Sequence, residues 1–327
     1  MNLEDIGFYT LSDARVRQVS TTSPLWRCEL ILTDRCNFKC PYCRGVLKGF
    51  RGDMSYDDAM YTLSNWCDHD LKNVRFSGGE PTLWKYLENL VYYATINGVE
   101  RVAISTNGSA PFNQYYELVH AGVNDFSISL DACCSSTGKT MSGGIDVWKR
   151  VIANIESLSE MTYVSVGIVL TDTNVSEVVD TVRLADKLGV ADIRIISAAQ
   201  ENKLIYGLSK IEQEILDRHP ILKYRVGNYL ALRNVRGIKS VDSHSCYLML
   251  DDMAVLSGYH FPCIIYMREG GDPVGKVGLT MRQDRLEWIR THDTHKDNIC
   301  SKNCLDVCVA YNNKARDIGE EAQSLVA

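Results

Sequence analysis

Cys36, Cys40 and Cys43 stand in a Cys-x3-Cys-x2-Cys run within LILTDRCNFKCPYCRG, residues 30–45. Three soft thiolates on one loop, directly after an apolar and β-prone stretch, suit an iron–sulfur cluster with one iron left open. Structural zinc takes four protein ligands, usually from paired Cys-x2-Cys arms, whereas a four-iron cluster on three cysteines keeps a coordination position for a small molecule. The run therefore predicts cofactor chemistry.

The sequence holds 12 cysteines. With acidic residues and no apolar core of signal-peptide length at the start, they point to metal ligation or catalysis rather than a disulfide framework. Cys246, Gly258 and Cys263 form a Cys-x11-Gly-x4-Cys pattern, whose glycine permits a tight turn and whose Pro262 fits a loop. Cys300, Cys304 and Cys308 follow at intervals of four, a spacing that would also put them on one helix face. Five thiolates serve one four-iron cluster and fall short of the roughly eight that two complete clusters take. A zinc site and a buried stripe of cysteines on a helix are the competing readings. Cys28 and Cys67 read as core. His292 and His295, in the charged stretch from Thr291 to Asp297, read as solvated.

Elements must position these thiols, and from Cys28 to Ser197 short β-branched runs alternate with amphipathic stretches, the βαβ signature of a parallel sheet. Strands are predicted at Cys28–Thr33, Val74–Ser77, Val102–Thr106, Phe126–Leu130, Val164–Leu170 and Ile193–Ser197. Between them, helices are predicted at Tyr56–His69, Leu83–Ile96, Gln114–Ala121, Ile145–Leu158 and Val175–Leu188. This order predicts a partial (β/α)6 barrel of the TIM type. Such barrels gather function where the strands end at their carboxyl side. There lie the cysteine loop, Ser77–Glu80, Ser105–Gly108 and Ser129–Asp131. Beyond Ser197 the pattern stops, with one further helix predicted from Ser209 to Arg218.

The 327 residues, 45% hydrophobic and 23% charged, are ordinary for a soluble globular protein with a sizeable core. A net charge of −6 argues against a broad grip on nucleic-acid phosphates. No run approaches the roughly 20 apolar residues of a membrane span, so no membrane partner and a cytoplasmic location are expected. No Ser–His–Asp arrangement or phosphate-cradling loop stands out.

Tyr42, just before the third cysteine, and Ser77-Gly78-Gly79-Glu80-Pro81 after the second predicted strand complete a set that resembles the radical S-adenosylmethionine (SAM) superfamily. The resemblance implies that the open iron chelates the amino and carboxylate groups of SAM. An electron from the [4Fe–4S] cluster then splits a C–S bond to give a 5′-deoxyadenosyl radical. It further implies close backbone approach of Gly78 and Gly79 to the SAM amino group, with Glu80 as a stabilising neighbour. Tyr42 would contact the adenine through its backbone, and Ser129 and Asp131 the ribose hydroxyls, with Thr106 and Asn107 beside them. Val166–Ile168 and Ile195–Ala198 are either adenine-face residues or ordinary sheet core.

The pattern of Cys246, Gly258 and Cys263 is similar to the hairpin of SPASM and twitch extensions, which hold auxiliary [4Fe–4S] clusters. With Cys300, Cys304 and Cys308 it implies a twitch-like extension, although the last arm departs from the usual Cys-x2-Cys. Which of the three ligate stays open. The implied division is a lead-in at 1–27, a core barrel at 28–200, a connecting segment at 201–245 and an auxiliary-cluster domain at 246–327. Cys133 and Cys134, past Asp131 on the same rim, are either hydrogen-atom donors to a substrate radical or small, inert, partly buried residues.

The function implied is hydrogen abstraction from a small molecule, nucleotide or amino acid, leading to oxidation, rearrangement or isomerisation, with flavodoxin or ferredoxin as reductant. Alternatives are a maturase or epimerase acting on a ribosomally made peptide, and, in another class, a non-catalytic iron–sulfur electron carrier. The carrier explains the cysteines but not the Gly-Gly-Glu turn beside a polar rim.

Overall fold

Strand residues alternate between two faces, and in this chain the alternation is chemical: Arg75-Phe76-Ser77, Asp125-Phe126-Ser127-Ile128-Ser129, Val164-Ser165-Val166-Gly167 and Ile193-Arg194-Ile195. One face of such a sheet packs under helices while the other lines a polar interior. The computed structural model, which describes residues 13–46, 49–199 and 207–324, has this architecture.

A short helix, α1 (Asp13–Gln18), leads in. Strands β1 (Arg27–Ile31), β2 (Asn73–Ser77), β3 (Arg101–Thr106), β4 (Asp125–Ser129), β5 (Tyr163–Leu170) and β6 (Asp192–Ser197) then pair in parallel, each with the next. Helices α2 (Tyr56–Cys67), α3 (Leu87–Ile96), α4 (Phe112–Ala121), α5 (Ser135–Met141) and α6 (Trp148–Ser159) and α7 (Val178–Lys187) form the crossovers. The partial (β/α)6 barrel expected from the sequence is thus the fold. Phe76, Ile104, Phe126, Ile128, Val166 and Ile193 are fully buried beneath the helices, among them Ile155 and Leu158 of α6. Left-handed glycines close three helices: Gly98, Gly122 and Gly189 have φ of 79°, 123° and 75°.

Three local readings change. The helix predicted from Leu83 begins as a 3-10 turn at Pro81–Leu83, and extended backbone at Trp84 delays α3 to Leu87. The helix predicted from Ser209 is divided: extended Ile211 separates a 3-10 turn at Leu208–Lys210 from α8 (Gln213–Arg218), and Pro220 opens α9 (Pro220–Leu230) against β6. Helix α5 was unforeseen because SSTGKTM has no apolar period.

The C-terminal extension continues the barrel sheet. Its strand β7 (Asp252–Leu256) runs parallel to β1 in the register Arg27↔Asp252 to Ile31↔Leu256. A turn at Ser257 and Gly258, with φ of 48° and 75°, joins it to antiparallel β8 (Tyr259–Phe261), the two positive values that a tight hairpin turn requires. Then follow α10 (Ile264–Arg268), β9 (Gly275–Lys276), α11 (Met281–Thr291), α12 (Cys300–Asn303) and α13 (Asp306–Ser324). The buried Arg15 of α1 pairs with Asp251 and lies 4.8 Å from the ring of Tyr311, so the lead-in is tied to the extension. No helix among the described residues is long and apolar enough to cross a membrane.

Candidate active site

The cysteine loop leaves β1 and is held at the barrel mouth by side chains after β3 and β4, by Asp53 at the far end of its own connection and by a carbonyl that follows α5. Tyr42 donates its hydroxyl to Asp131 after β4, whose other carboxylate oxygen accepts from the Val169 amide at 2.7 Å. Asn107 after β3 donates to Asn37 at 2.8 Å, and Asn37 donates to Ser109 at 2.8 Å. Asp53 accepts from Thr33 at 2.7 Å and from Arg35 at 2.7 and 2.8 Å. The Lys39 amide donates to the Ser142 carbonyl at 2.9 Å. These contacts fix the loop through groups other than its thiols.

The Gly-Gly-Glu turn is fixed against the same loop. A Cβ on Gly79 would stand 2.2 Å from the Arg35 carbonyl oxygen, and one on Gly78 2.5 Å from that of Thr33. The amides of Gly79 and Glu80 donate to those two carbonyls, of Thr33 and Arg35, at 2.7 and 2.8 Å. The approach that demands glycine is therefore to the cysteine loop's own backbone. Glu80 is fully buried and accepts from the Thr82 amide and hydroxyl, the Thr106 hydroxyl and the Asn107 amide at 2.7–3.1 Å. Burial raises its pKa despite these donors, and the carboxylate locks the β2 turn to the β3 turn.

A cavity of about 700 Å³ opens beside these loops. Cys36, Cys40, Cys43, Tyr42, Ser77, Gly78, Gly79, Thr106, Asn107, Ser129 and Asp131 all line it; Glu80 stands behind the wall. Ser129 is exposed to it, whereas both oxygens of Asp131 are engaged with Tyr42 and Val169. The thiols of Cys133 and Cys134 do not face this space. Cys133 turns to Glu177 at 3.5 Å, and Cys134 to the hydroxyls of Ser136 and Thr137 at 3.2 and 3.4 Å.

Sequence reading passed over Glu29, Ser127 and Arg194, which line the deeper wall together with Ser105 and Gly167, and Arg268, which lines the mouth. The first three carry a signal, the period-two alternation within their strands. Arg268 carries none, because it comes from α10 of the extension. It donates to the carbonyls of Gly45 and, at 3.1 Å, Gly78, and its neighbour Glu269 pairs with Arg44. The extension thus clamps both the cysteine loop and the glycine turn. Arg268→Ala is expected to weaken SAM binding roughly tenfold, the loss of one or two charge-assisted hydrogen bonds, with iron content unchanged by metal analysis.

A second cavity, of about 90 Å³, is lined by all five C-terminal thiols, Cys246, Cys263, Cys300, Cys304 and Cys308. Burial drives every one of them up in pKa, Cys263 to about 12, and the neighbouring thiols add to the rise for Cys300 and Cys304. His292 is not solvated, contrary to its charged sequence context. Its ring stacks on Trp288 at 3.7 Å, and Nε2 lies 3.8 Å from the Cys300 sulfur. His295 stacks on His244 at 3.8 Å.

Both thiol groups fit iron–sulfur clusters. At the barrel mouth burial pushes the Cys40 thiol up to about 12 and raises Cys36 as well, so their thiolates call for a bound cation. The first cavity has a volume typical of sites for cofactor-sized ligands, while the second offers donor sulfurs and apolar walls.

A three-thiol loop at the carboxyl-side mouth of a parallel partial barrel, over a polar cavity, defines a cluster-dependent barrel enzyme. Residues 30–185 match the family described as the Radical SAM superfamily. A match to this family implies a [4Fe–4S] cluster and SAM as cofactors, and the five C-terminal cysteines fit an auxiliary cluster. A probable GTP 3′,8-cyclase of Saccharolobus islandicus is 32% identical over 178 residues, covering 53% of this chain and 57% of that protein. The GTP 3′,8-cyclase of Clostridium botulinum is 28% identical over 198 residues, covering 58% and 62%. The chain thus spans less than two thirds of the length of these curated relatives. Among solved structures, Streptococcus suis SuiB bound to precursor peptide SuiA aligns with a TM-score of 0.59 at 16% identity, over 92% of this chain and 73% of that one. The enzyme anSMEcpe with bound AdoMet aligns with a TM-score of 0.56 at 14% identity, over 93% and 95%. These two likenesses establish the fold, extension included.

Proposed function

We propose that this chain is a radical SAM enzyme that abstracts hydrogen from a small polar molecule, nucleotide or amino acid, with an auxiliary cluster in its extension. When bound, the cluster and SAM supply the one-electron cleavage that generates the abstracting radical. The chain's residues do the rest. Cys36, Cys40 and Cys43 would hold the cluster, and Glu80, Tyr42–Asp131 and Asn107–Asn37 keep their loop in place. Ser129 offers a hydroxyl to a ligand at the rim. The barrel walls and Arg268 shield the reacting centre from water, as hydrogen abstraction in a closed site requires.

The observation that carries this reading is the single cavity that joins the three thiols to the polar interior of the strands. The sequence likeness to GTP 3′,8-cyclases supports a nucleotide among the small molecules. We assign residues 28–200 to SAM chemistry and 246–327 to the auxiliary cluster, with a cytoplasmic location and a flavodoxin or ferredoxin as electron donor. The test is anaerobic reconstitution with iron and sulfide, addition of dithionite and SAM, and chromatography of the products. Formation of 5′-deoxyadenosine and methionine is expected, and SAM left intact by a fully loaded protein would overturn the reading.

A further inference from the structure

We infer that Arg194 is an anion subsite on the inner wall of the barrel, which receives a carboxylate or phosphate on the substrate's end remote from the cysteine loop. This rests on the reading of the cavity as a radical SAM site and names the substrate class that the cavity takes.

The inner face of the barrel carries Arg75 on β2, Asp125 on β4 and Arg194 on β6. Asp125 pairs with Arg75 at 3.5 Å, which accounts for one of the two cations. Among the described residues no carboxylate lies within 4.0 Å of the Arg194 guanidinium. It donates to the Ser127 hydroxyl, and its Nε has no hydrogen-bond partner. Burial and the nearby Arg75 together lower its pKa to about 10. A half-buried guanidinium that faces the cavity with most of its five donors unused, and with a second guanidinium nearby, is disposed to take an anion.

The geometry leaves room for that anion. Arg194 lines the 700 Å³ cavity together with Ser127, Ser129 and Gly167. A Cβ on Gly167 would meet the guanidinium at 3.7 Å, so the glycine keeps the space beside it open. Ser127 lies two residues before rim residue Ser129 on β4, hence about 6–7 Å deeper in the barrel. A ligand reaching from the rim to Arg194 therefore extends from Ser129 inward to the level of Ser127. Glu29, on β1 at the other side of the six-strand array, also lines the cavity and directs the anionic end toward β6.

The test uses the reconstituted, SAM-saturated protein and two probes, inorganic phosphate and acetate, followed by calorimetric titration. Wild type should bind at least one, and the preferred probe tells phosphate from carboxylate. Arg194→Gln should lose at least about tenfold in affinity for it, with SAM affinity changed less than about twofold. Ser127→Ala, which removes the hydroxyl that positions the guanidinium, should lose about threefold and serves if Arg194→Gln does not fold. Binding of neither anion by wild type would overturn the subsite, as would equal loss of SAM affinity in Arg194→Gln, which would make Arg194 a SAM contact. The same samples are assayed for 5′-deoxyadenosine. Cleavage of SAM without anion binding sinks the subsite alone, whereas no cleavage sinks the radical SAM reading beneath it.

Discussion

Cys36→Ala is expected to reduce SAM cleavage to background, while Cys263→Ala leaves it within severalfold of wild type. The two residues line separate cavities. Cys36 belongs to a loop with three thiols and no spare ligand, so its loss removes a quarter of the coordination of the cluster that SAM needs. Cys263 belongs to a group of five, where one ligand can be replaced. Its effect on SAM is indirect: the Cys263 sulfur caps α10 through the Tyr266 amide at 3.4 Å, and Arg268 at the end of α10 holds the Gly45 and Gly78 carbonyls. The check is 5′-deoxyadenosine release per iron in each variant under dithionite. Abolition by Cys263→Ala with activity retained in Cys36→Ala would reverse the assignment.

Gly79→Ala should be nearly as damaging although it adds one carbon. The methyl group would stand 2.2 Å from the Arg35 carbonyl oxygen and 2.7 Å from that of Asp34, and both are backbone atoms that no rotamer change can move. Relief comes only by pushing the cysteine loop away from the β2 turn, which also breaks the hydrogen bonds that the Gly79 and Glu80 amides donate to the Thr33 and Arg35 carbonyls. Overpacking of this kind costs about 1–3 kcal/mol, and a displacement of about 1 Å at reacting groups costs about 100-fold in rate. The expected result is a stable protein with weakened SAM binding and cleavage reduced about 100-fold, measured by equilibrium dialysis and product chromatography. Wild-type behaviour would show that the turn and the loop are not coupled.

How much of this was legible in the sequence differs by element. The six strands were legible because their β-branched runs are short and separated by helical periods, and their bounds agree to within two residues at β1, where the prediction extends to Thr33. Gly78 and Gly79 were legible as a tight approach, yet the backbone they approach is 44 or 45 residues earlier in the chain and could be found only in three dimensions. Helix α5 escaped because its polar residues have no period, and β7 because no local signal says that a strand of the extension pairs with β1. The interior arginines were overlooked for a different reason. Ile193-Arg194-Ile195 reads as sheet core unless the alternation is followed across all six strands, when the polar set emerges as one wall.

The most direct test of the two-site assignment is iron and acid-labile sulfide per chain after anaerobic reconstitution, in wild type and in the Cys36→Ala, Cys40→Ala, Cys43→Ala triple variant. About eight irons in wild type and about four in the variant are predicted, one four-iron cluster from each cavity. About four irons falling to none would leave the five C-terminal thiols without a cluster and would contradict the auxiliary-cluster reading of the extension.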